Sequence, residues 1–243
     1  MKRVLILLIS VFNIFFVGRA LLNSAASKPT PIAPNNSVRS SSTKFIKFPM
    51  PAFRVGNINN IGKRKKQQDS FGISDVNDEN MSRSKGVLAV VADGMGGLED
   101  GAAISQLIVD TFLKKYDDQN QISNSGQFLY DSAKCSETAV EDYMSQHDVD
   151  GGSTVVAVLI KNGELNFVSV GDSNIFLFRS GELRLLNRKH NLGAILEEKA
   201  AKGEVAPDEP FINPRRNALT AYIGMGNFRV ADRSGSRRGV RCV

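Results

Sequence analysis

The run Val87-Leu88-Ala89-Val90-Val91-Ala92 closes in Asp93-Gly94-Met95-Gly96-Gly97, and no other feature of the chain restricts its fold as tightly. Continuous apolar residues leave no polar face, so the segment predicts a strand buried on both sides. An acid at the tip of such a strand is costly unless a cation or a hydrogen-bond donor meets it. Glycine beside it lets the backbone turn sharply and brings a carbonyl close to whatever the carboxylate holds. A lone Asp-Gly is ordinarily just a turn. Three glycines among the four residues after Asp93 point instead to a built site.

At 243 residues the chain has room for one sizeable domain with a full core, plus appendages. Its net charge of +6 first suggests nucleic acid, but the charge is unevenly placed. Residues 1–50 hold seven of the 31 Lys and Arg and no acid, which leaves 24 basic against 25 acidic residues from Pro51 onward. The domain itself is near neutral, and a nucleic-acid partner is excluded on that ground. Cys135 and Cys242 are far apart and lack metal-ligand spacing, so neither a disulfide framework nor a zinc site is indicated.

Met1-Lys2-Arg3 precedes an apolar run from Val4 to Gly18, and the stretch extends past Arg19 to Leu22. Residues 1–22 are therefore expected to be a single membrane anchor or a signal segment, with Ser24-Ala25-Ala26 as a possible cleavage site in the second case. Cations are denser downstream of the run than before it, which places the domain on the cytoplasmic side of a membrane. Secretion, or a cytoplasmic protein starting later at Met50, are the alternatives. Residues 23–50, rich in Ser, Pro, Asn and Lys, read as a flexible linker. The domain is expected over 51–230, followed by an atypical basic tail over 231–243.

Within the domain, Phe53–Ile58 alternates like an edge strand and Asp69–Ile73 reads as a short strand. Residues 77–85 read as a polar loop. Ala102, Ala103, Leu107, Ile108 and Leu113 form a helical stripe ending at Lys114-Lys115, and a second helix is expected over Phe128–Met144. Ser153–Ile160, a turn at Asn162-Gly163 and Leu165–Val170 make a hairpin. Ile175–Phe178, Ser180-Gly181 and Leu183–Leu186 make another. A helix over Glu197–Lys202 and a loop over Asn213–Thr220 complete the reading. Hairpins in place of strand-helix-strand crossovers predict an antiparallel α+β domain.

Three carboxylates fall at strand-turn junctions: Asp69, Asp93 and Asp172. Brought together they would make an oxygen-rich site suited to Mg²⁺ or Mn²⁺. Two such ions about 3.5–4 Å apart can acidify a shared water and clamp a phosphoryl group for in-line attack. Arg64, five residues before Asp69, is the best candidate to grip phosphate through its planar fork, while Lys63, Lys65 and Lys66 read as solvated loop charges.

Gly62-Lys63-Arg64-Lys65-Lys66-Gln67-Gln68-Asp69-Ser70 resembles the Gly-x-Arg-x-x-Asn-Gln-Asp-Ser motif of bacterial metal-dependent PPM (type 2C) protein phosphatases. Val91–Gly97, Gly151-Gly152-Ser153-Thr154 and Val170-Gly171-Asp172-Ser173 match three more motifs of that family, and Asn217-Ala218-Leu219-Thr220 resembles a fifth. The resemblance covers about Phe53 to Gly226. It implies a sandwich of two antiparallel β-sheets flanked by α-helices, with two Mn²⁺ or Mg²⁺ ions at one end. By motif position Asp93 would bridge both ions, Gly94 would offer its carbonyl, Asp69 would act largely through water, and Arg64 would bind the substrate phosphate. Asp172 would sit by a third, weaker metal, a structural turn being the alternative. The implied substrates are phosphoserine and phosphothreonine proteins, acted on by a monomer.

Departures from the family pattern set further expectations. Met95 replaces a His of many eukaryotic members, so water is expected to protonate the leaving alcohol. Gln67 replaces an Asn, and Asn174 an Arg. Family members continue with an apolar strand ending in Ser-Asp-Gly and later an Asp-Asn pair; neither precedes Val243, and Asp232 is a poor substitute. The reading is a C-terminally incomplete phosphatase of impaired activity. The alternative is a non-catalytic module that binds phosphoproteins or a regulatory partner.

Overall fold

A computed structural model describes residues 4–9, 13–20, 52–61, 66–96, 100–226, 228, 231–234 and 240–241. The strands in chain order are β1 (Val4–Ile9), β2 (Asn13–Ala20), β3 (Ala52–Asn59), β4 (Asp69–Ile73), β5 (Val87–Gly96), β6 (Gly151–Ser153), β7 (Val155–Lys161), β8 (Glu164–Val170), β9 (Asn174–Arg179), β10 (Glu182–Leu185), β11 (Asp232–Arg233) and β12 (Val240–Arg241). The helices are α1 (Glu79–Ser84), α2 (Asp100–Asp117), α3 (Ser125–His147), α4 (Leu192–Ala201) and α5 (Glu209–Ile212). One sheet runs β10-β9-β1-β2-β3; the other runs β11-β8-β7-β5-β4, with β12 on β8 and β6 on β5. The described pairings are antiparallel, as the hairpin signals predict.

The opening apolar run is the centre of the second sheet. Leu88, Val90 and Ala92 face α2 and α3, packing with Ile104, Ile108, Phe112 and Leu129. Ala89 and Val91 face the other sheet, packing with Val156, Val158, Ile175 and Leu177. Both faces of β5 are dry, which is why its sequence shows no alternation. Burying each of its valines and leucines contributes about 1.5–3 kcal/mol.

The helical stripe expected over Ala102–Leu113 lies inside α2, and α3 extends the expected second helix to 23 residues. The loop expected over 77–85 instead contains α1. The reason is a local cap: Asp78 accepts from the Asn80 and Met81 amides at 2.8 and 2.9 Å, satisfying donors that the first turn leaves open. Helix α4 likewise starts earlier than its apolar pattern suggests, because Asn191 accepts from the Ala194 amide at 3.0 Å. Residues 213–220 form turns, as expected, with an isolated bridge from Leu219 to Asn191.

The tail expected over 231–243 contributes to the sheet: Asp232 pairs with Ser169 and Arg233 with Val168. The N-terminal apolar run, expected to be an anchor or signal segment, stands here as β1 and β2, lying between β9 and β3. Among the described residues, no helix is long and apolar enough to cross a membrane.

At the far end of the second sheet from the glycines, Tyr116 is fully buried and its hydroxyl donates to the Gly86 carbonyl at 2.7 Å. Burial also raises its pKa, by penalising the phenolate. Tyr116→Phe leaves that carbonyl short of a partner, and urea denaturation of the variant is expected to show a loss of about 1–2 kcal/mol.

Candidate active site

The strand-end corner is made by β4 and β5, which pair with Asp69 opposite Asp93. Asp69 is 6% exposed. Like charges directly opposed across a ladder repel each other, so this corner favours a cation. Beyond Asp93 the Gly94 amide donates to the Gln68 carbonyl at 3.0 Å, tying the glycine turn to the residue before Asp69. A Cβ on Gly94 would stand 1.9 Å from the Gly101 carbonyl oxygen and 2.8 Å from that of Gln68. The first turn of α2 and the β4 entry loop therefore close on a residue that must be glycine.

Two other motifs meet at the same place. Thr154 donates its amide to the Asp93 carbonyl at 2.9 Å, and its hydroxyl accepts from the Asp93 amide at 3.3 Å. That hydroxyl also shares a hydrogen bond with Ser173 Oγ at 2.8 Å. Ser153 is the register partner of Gly94. Gly171 has φ +104°, and a Cβ there would lie 2.6 Å from the Thr154 side chain. Thr154 is thus the post between Asp93 and the turn that carries Asp172. The sequence shows Thr154 and Ser173 as motif members but gives no sign of their mutual bond, since 19 residues separate them.

The fifth motif is placed by His190. This ring is 8% exposed; its Nδ1 accepts from the Gly171 amide at 3.1 Å. Its backbone donates to the Gly171 carbonyl and accepts from the Thr220 amide, both at 2.9 Å. An accepting Nδ1 makes the imidazole neutral with its proton on Nε2. Burial lowers the His190 pKa; Asp232 opposes this and Arg188 adds to it. A base whose pKa falls on folding contributes stability above its unfolded pKa, and that contribution is lost as the pH falls through the folded value. Urea midpoints are therefore expected to decline below about pH 6.5, the unfolded histidine value. His190→Asn, which keeps an acceptor but no titration, is expected to flatten that decline.

Glu137 is a second buried group absent from the sequence reading. It is 4% exposed, and its two oxygens accept from the Gly224 and Gly226 amides at 2.8 and 3.0 Å. It holds the loop whose Ile223 bridges Ser153, and so supports the strand lying on Gly94.

Of the expected site residues, Asp69 and Asp93 stand opposite each other with Gly94 next along β5, and the turn that carries Asp172 is tied to the Asp93 backbone through Ser173 and Thr154. Arg64 lies outside the described residues, as do Lys63 and Lys65; Lys66 is exposed. Asp232 is turned to other work, accepting from the Arg188 amide at 2.7 Å. Among the described residues, no group of three or more His, Cys, Asp or Glu could hold a metal ion. The donors present are nonetheless of the right kind: two opposed carboxylates and the carbonyl of a residue without a side chain suit a hard, oxygen-seeking divalent cation.

Comparison with known proteins gives the family and the fold. The family described as Protein phosphatase 2C matches residues 53–199, over half of the chain. A protein of Streptococcus pyogenes serotype M6 described as protein phosphatase 2C-type is 28% identical over 169 residues, covering 68% of this chain and 65% of its own length. The crystal structure of the serine/threonine phosphatase Stp1 from Staphylococcus aureus shares the fold, with a TM-score of 0.59 at 23% identity, covering 71% of this chain and 66% of that one. So does the catalytic domain of the serine/threonine protein phosphatase PstP in complex with two manganese ions, with a TM-score of 0.53 at 22% identity over 70% of this chain and 65% of that one. This chain spans just under two thirds of the length of the S. pyogenes relative. With its α+β sandwich, its ordered motifs and a strand-end carboxylate pair, the chain belongs to the protein phosphatase 2C family.

Proposed function

We propose that this chain acts on phosphoserine and phosphothreonine in proteins, using divalent cations held at the corner of Asp69, Asp93 and Gly94. The observation that carries the reading is the register of β4 on β5, which sets two carboxylates face to face at the end of a buried sheet. When bound there, Mn²⁺ or Mg²⁺ would supply an acidified water and a clamp for phosphoryl oxygens. Asp93, at the strand tip, would hold the cations through its carboxylate. Gly94 offers a carbonyl that no side chain shields. Asp69 would hold one ion through water, and Asp172 would serve a further, weaker site. Arg64 would orient the phosphate through its fork, a task that a lysine's point charge does less well. Among the described residues, two carboxylates and one carbonyl line this corner, and slow turnover by this chain is part of the proposal.

A full-length preparation titrated with Mn²⁺ by calorimetry, then given a phosphothreonine peptide, tests both halves. Cation binding with slow, Mn²⁺-dependent phosphate release supports the enzyme. Cation or phosphopeptide binding with no release favours the non-catalytic module, and binding of neither overturns the reading. We propose in addition that the apolar, cation-rich N-terminus associates the chain with a membrane, with the domain on the cytoplasmic side, and that the domain acts as a monomer.

A further inference from the structure

The face of β5 that carries the Asp93 carboxylate has a further occupant. Ala89 and Val91 pack toward the first sheet, and side chains alternate along a strand, so Asp93 and Met95 continue the same face. Gly94 between them turns the other way, since a Cβ on it would meet Gly101 in the first turn of α2. Gly152 is the register partner of Met95 and therefore lies on the carboxylate face. A Cβ on Gly152 would stand 2.5 and 2.8 Å from Cδ2 and Cε2 of Tyr222. The phenol ring thus rests on that glycine, two residues, or about 7 Å, along the strand from the row of Asp69 and Asp93. Pairing on the other side agrees. Ser153 and Ile223 exchange amide-to-carbonyl hydrogen bonds at 3.0 and 2.9 Å, and Ala221 and Ile223 are buried in the core under the helices. Tyr222, between those two, is turned by alternation onto the opposite face.

We infer that Tyr222 is a substrate-contacting residue, its hydroxyl donating a hydrogen bond to a phosphoryl oxygen of the side chain held at the corner of Asp69 and Asp93. The inference rests on the proposed phosphatase function and adds a residue to it. Tyr222 is half-buried, and among the described residues its hydroxyl has no hydrogen-bond partner. The Tyr116 hydroxyl, by contrast, is spent on the Gly86 carbonyl. Packing on Gly152 needs a ring but not a hydroxyl. The ring is held in place from both ends: the neighbouring Ile223 is bonded to Ser153, and the Gly224 amide donates to Glu137 at 2.8 Å. A donor fixed before the substrate arrives costs no reordering when it binds. Phosphoryl oxygens are charged, so the bond to them is of the stronger, charge-assisted kind. A neutral phenol also adds no positive charge beside a corner meant for cations, as another lysine or arginine would. Met95, on the same face, supplies an apolar neighbour that limits competing water.

The test loads the full chain with Mn²⁺ and titrates it by calorimetry with a phosphothreonine peptide whose ester oxygen is replaced by methylene, so that no turnover follows. Tyr222→Phe is expected to weaken peptide binding by about tenfold, the cost of one hydrogen bond to a charged acceptor. Inorganic phosphate should lose affinity by a similar factor, because the bond is to the phosphoryl group. The variant should bind Mn²⁺ as the parent does and keep the parent's urea midpoint, since the hydroxyl holds nothing in the fold. Peptide affinity unchanged in Tyr222→Phe overturns the inference and leaves the phosphatase reading standing. A variant with weaker Mn²⁺ binding or a lower urea midpoint also overturns it, by showing that the hydroxyl serves the fold. A parent that binds no peptide in Mn²⁺ removes the substrate reading itself, and this inference with it.

Discussion

Asp93→Asn is expected to weaken Mn²⁺ binding by about a hundredfold or more, since even groups that merely support a metal ligand cost tenfold to a hundredfold when removed. The same substitution should leave the cation-free protein at least as stable as the parent. Asn keeps the shape of the side chain and an Oδ1 that accepts hydrogen bonds as the carboxylate does, and the hydrogen bonds that Asp93 makes to Thr154 run through its backbone. What it removes is one of two negative charges on directly opposed residues. The opposite signs of the two effects make the result informative. Calorimetric titration with Mn²⁺ measures the first, and urea denaturation in chelator measures the second. A variant less stable than the parent in chelator would show that the Asp93 carboxylate is spent on the fold and is not held ready for a cation.

The second large effect is steric. Gly94→Ala places a methyl 1.9 Å from one backbone carbonyl oxygen and 2.8 Å from another. Neither atom is the far end of a flexible side chain, so α2 or the Gln68 loop must shift as a whole. Overpacking against backbone is expected to cost about 2–4 kcal/mol, at the upper end for single substitutions. Gly126→Ala is the matched control: the nearest atom to its Cβ would be 3.6 Å away, near the start of α3. It should be neutral or stabilising by up to about 1 kcal/mol, through the unfolded chain's lost freedom. Thermal unfolding of the two variants side by side checks the difference. A Gly94→Ala protein as stable as the control would mean that the turn after Asp93 opens without cost, and that its tight closure is not what positions the corner.

Neither effect could be sized from the chain alone, although the residues involved were visible in it. The buried strand was legible at Val87–Ala92 because a segment dry on both faces has no polar residue to spare. The hairpins at Asn162-Gly163 and Ser180-Gly181 were legible because these turns require positive φ, which Asn162 and Ser180 adopt at 52° and 56° and the following glycines at 77° and 87°. Helix α1 was missed because a single carboxylate, Asp78, caps a six-residue helix too short to show a stripe. Helix α4 was placed late for a similar reason, its start being fixed by Asn191 and not by apolar spacing. The apolar N-terminus was the hardest case. A run apolar at nearly every position fits a membrane span and a pair of sheet strands equally well, and nothing in its local pattern separates the two.

The sequence by itself determined the local chemistry: an acid at the tip of a buried strand, glycines where the backbone must bend, further acids at strand ends, and the motif order of a phosphatase family. These follow from rules that act over a few residues, namely dihedral freedom, hydrophobic period and the cost of a desolvated charge. Tertiary structure alone decided which of those residues meet. Asp69 faces Asp93 because β4 pairs with β5 in one register, and a slip of one residue would turn that acid to the other face. The turn that carries Asp172 is tied to the Asp93 strand because Thr154 and Ser173, far apart in the chain, share one hydrogen bond. The apolar N-terminus lies in the sheet because β3 and β9 flank it there as pairing partners. Each of these is a long-range contact, set by the packing of the whole domain and written in no local stretch of the chain.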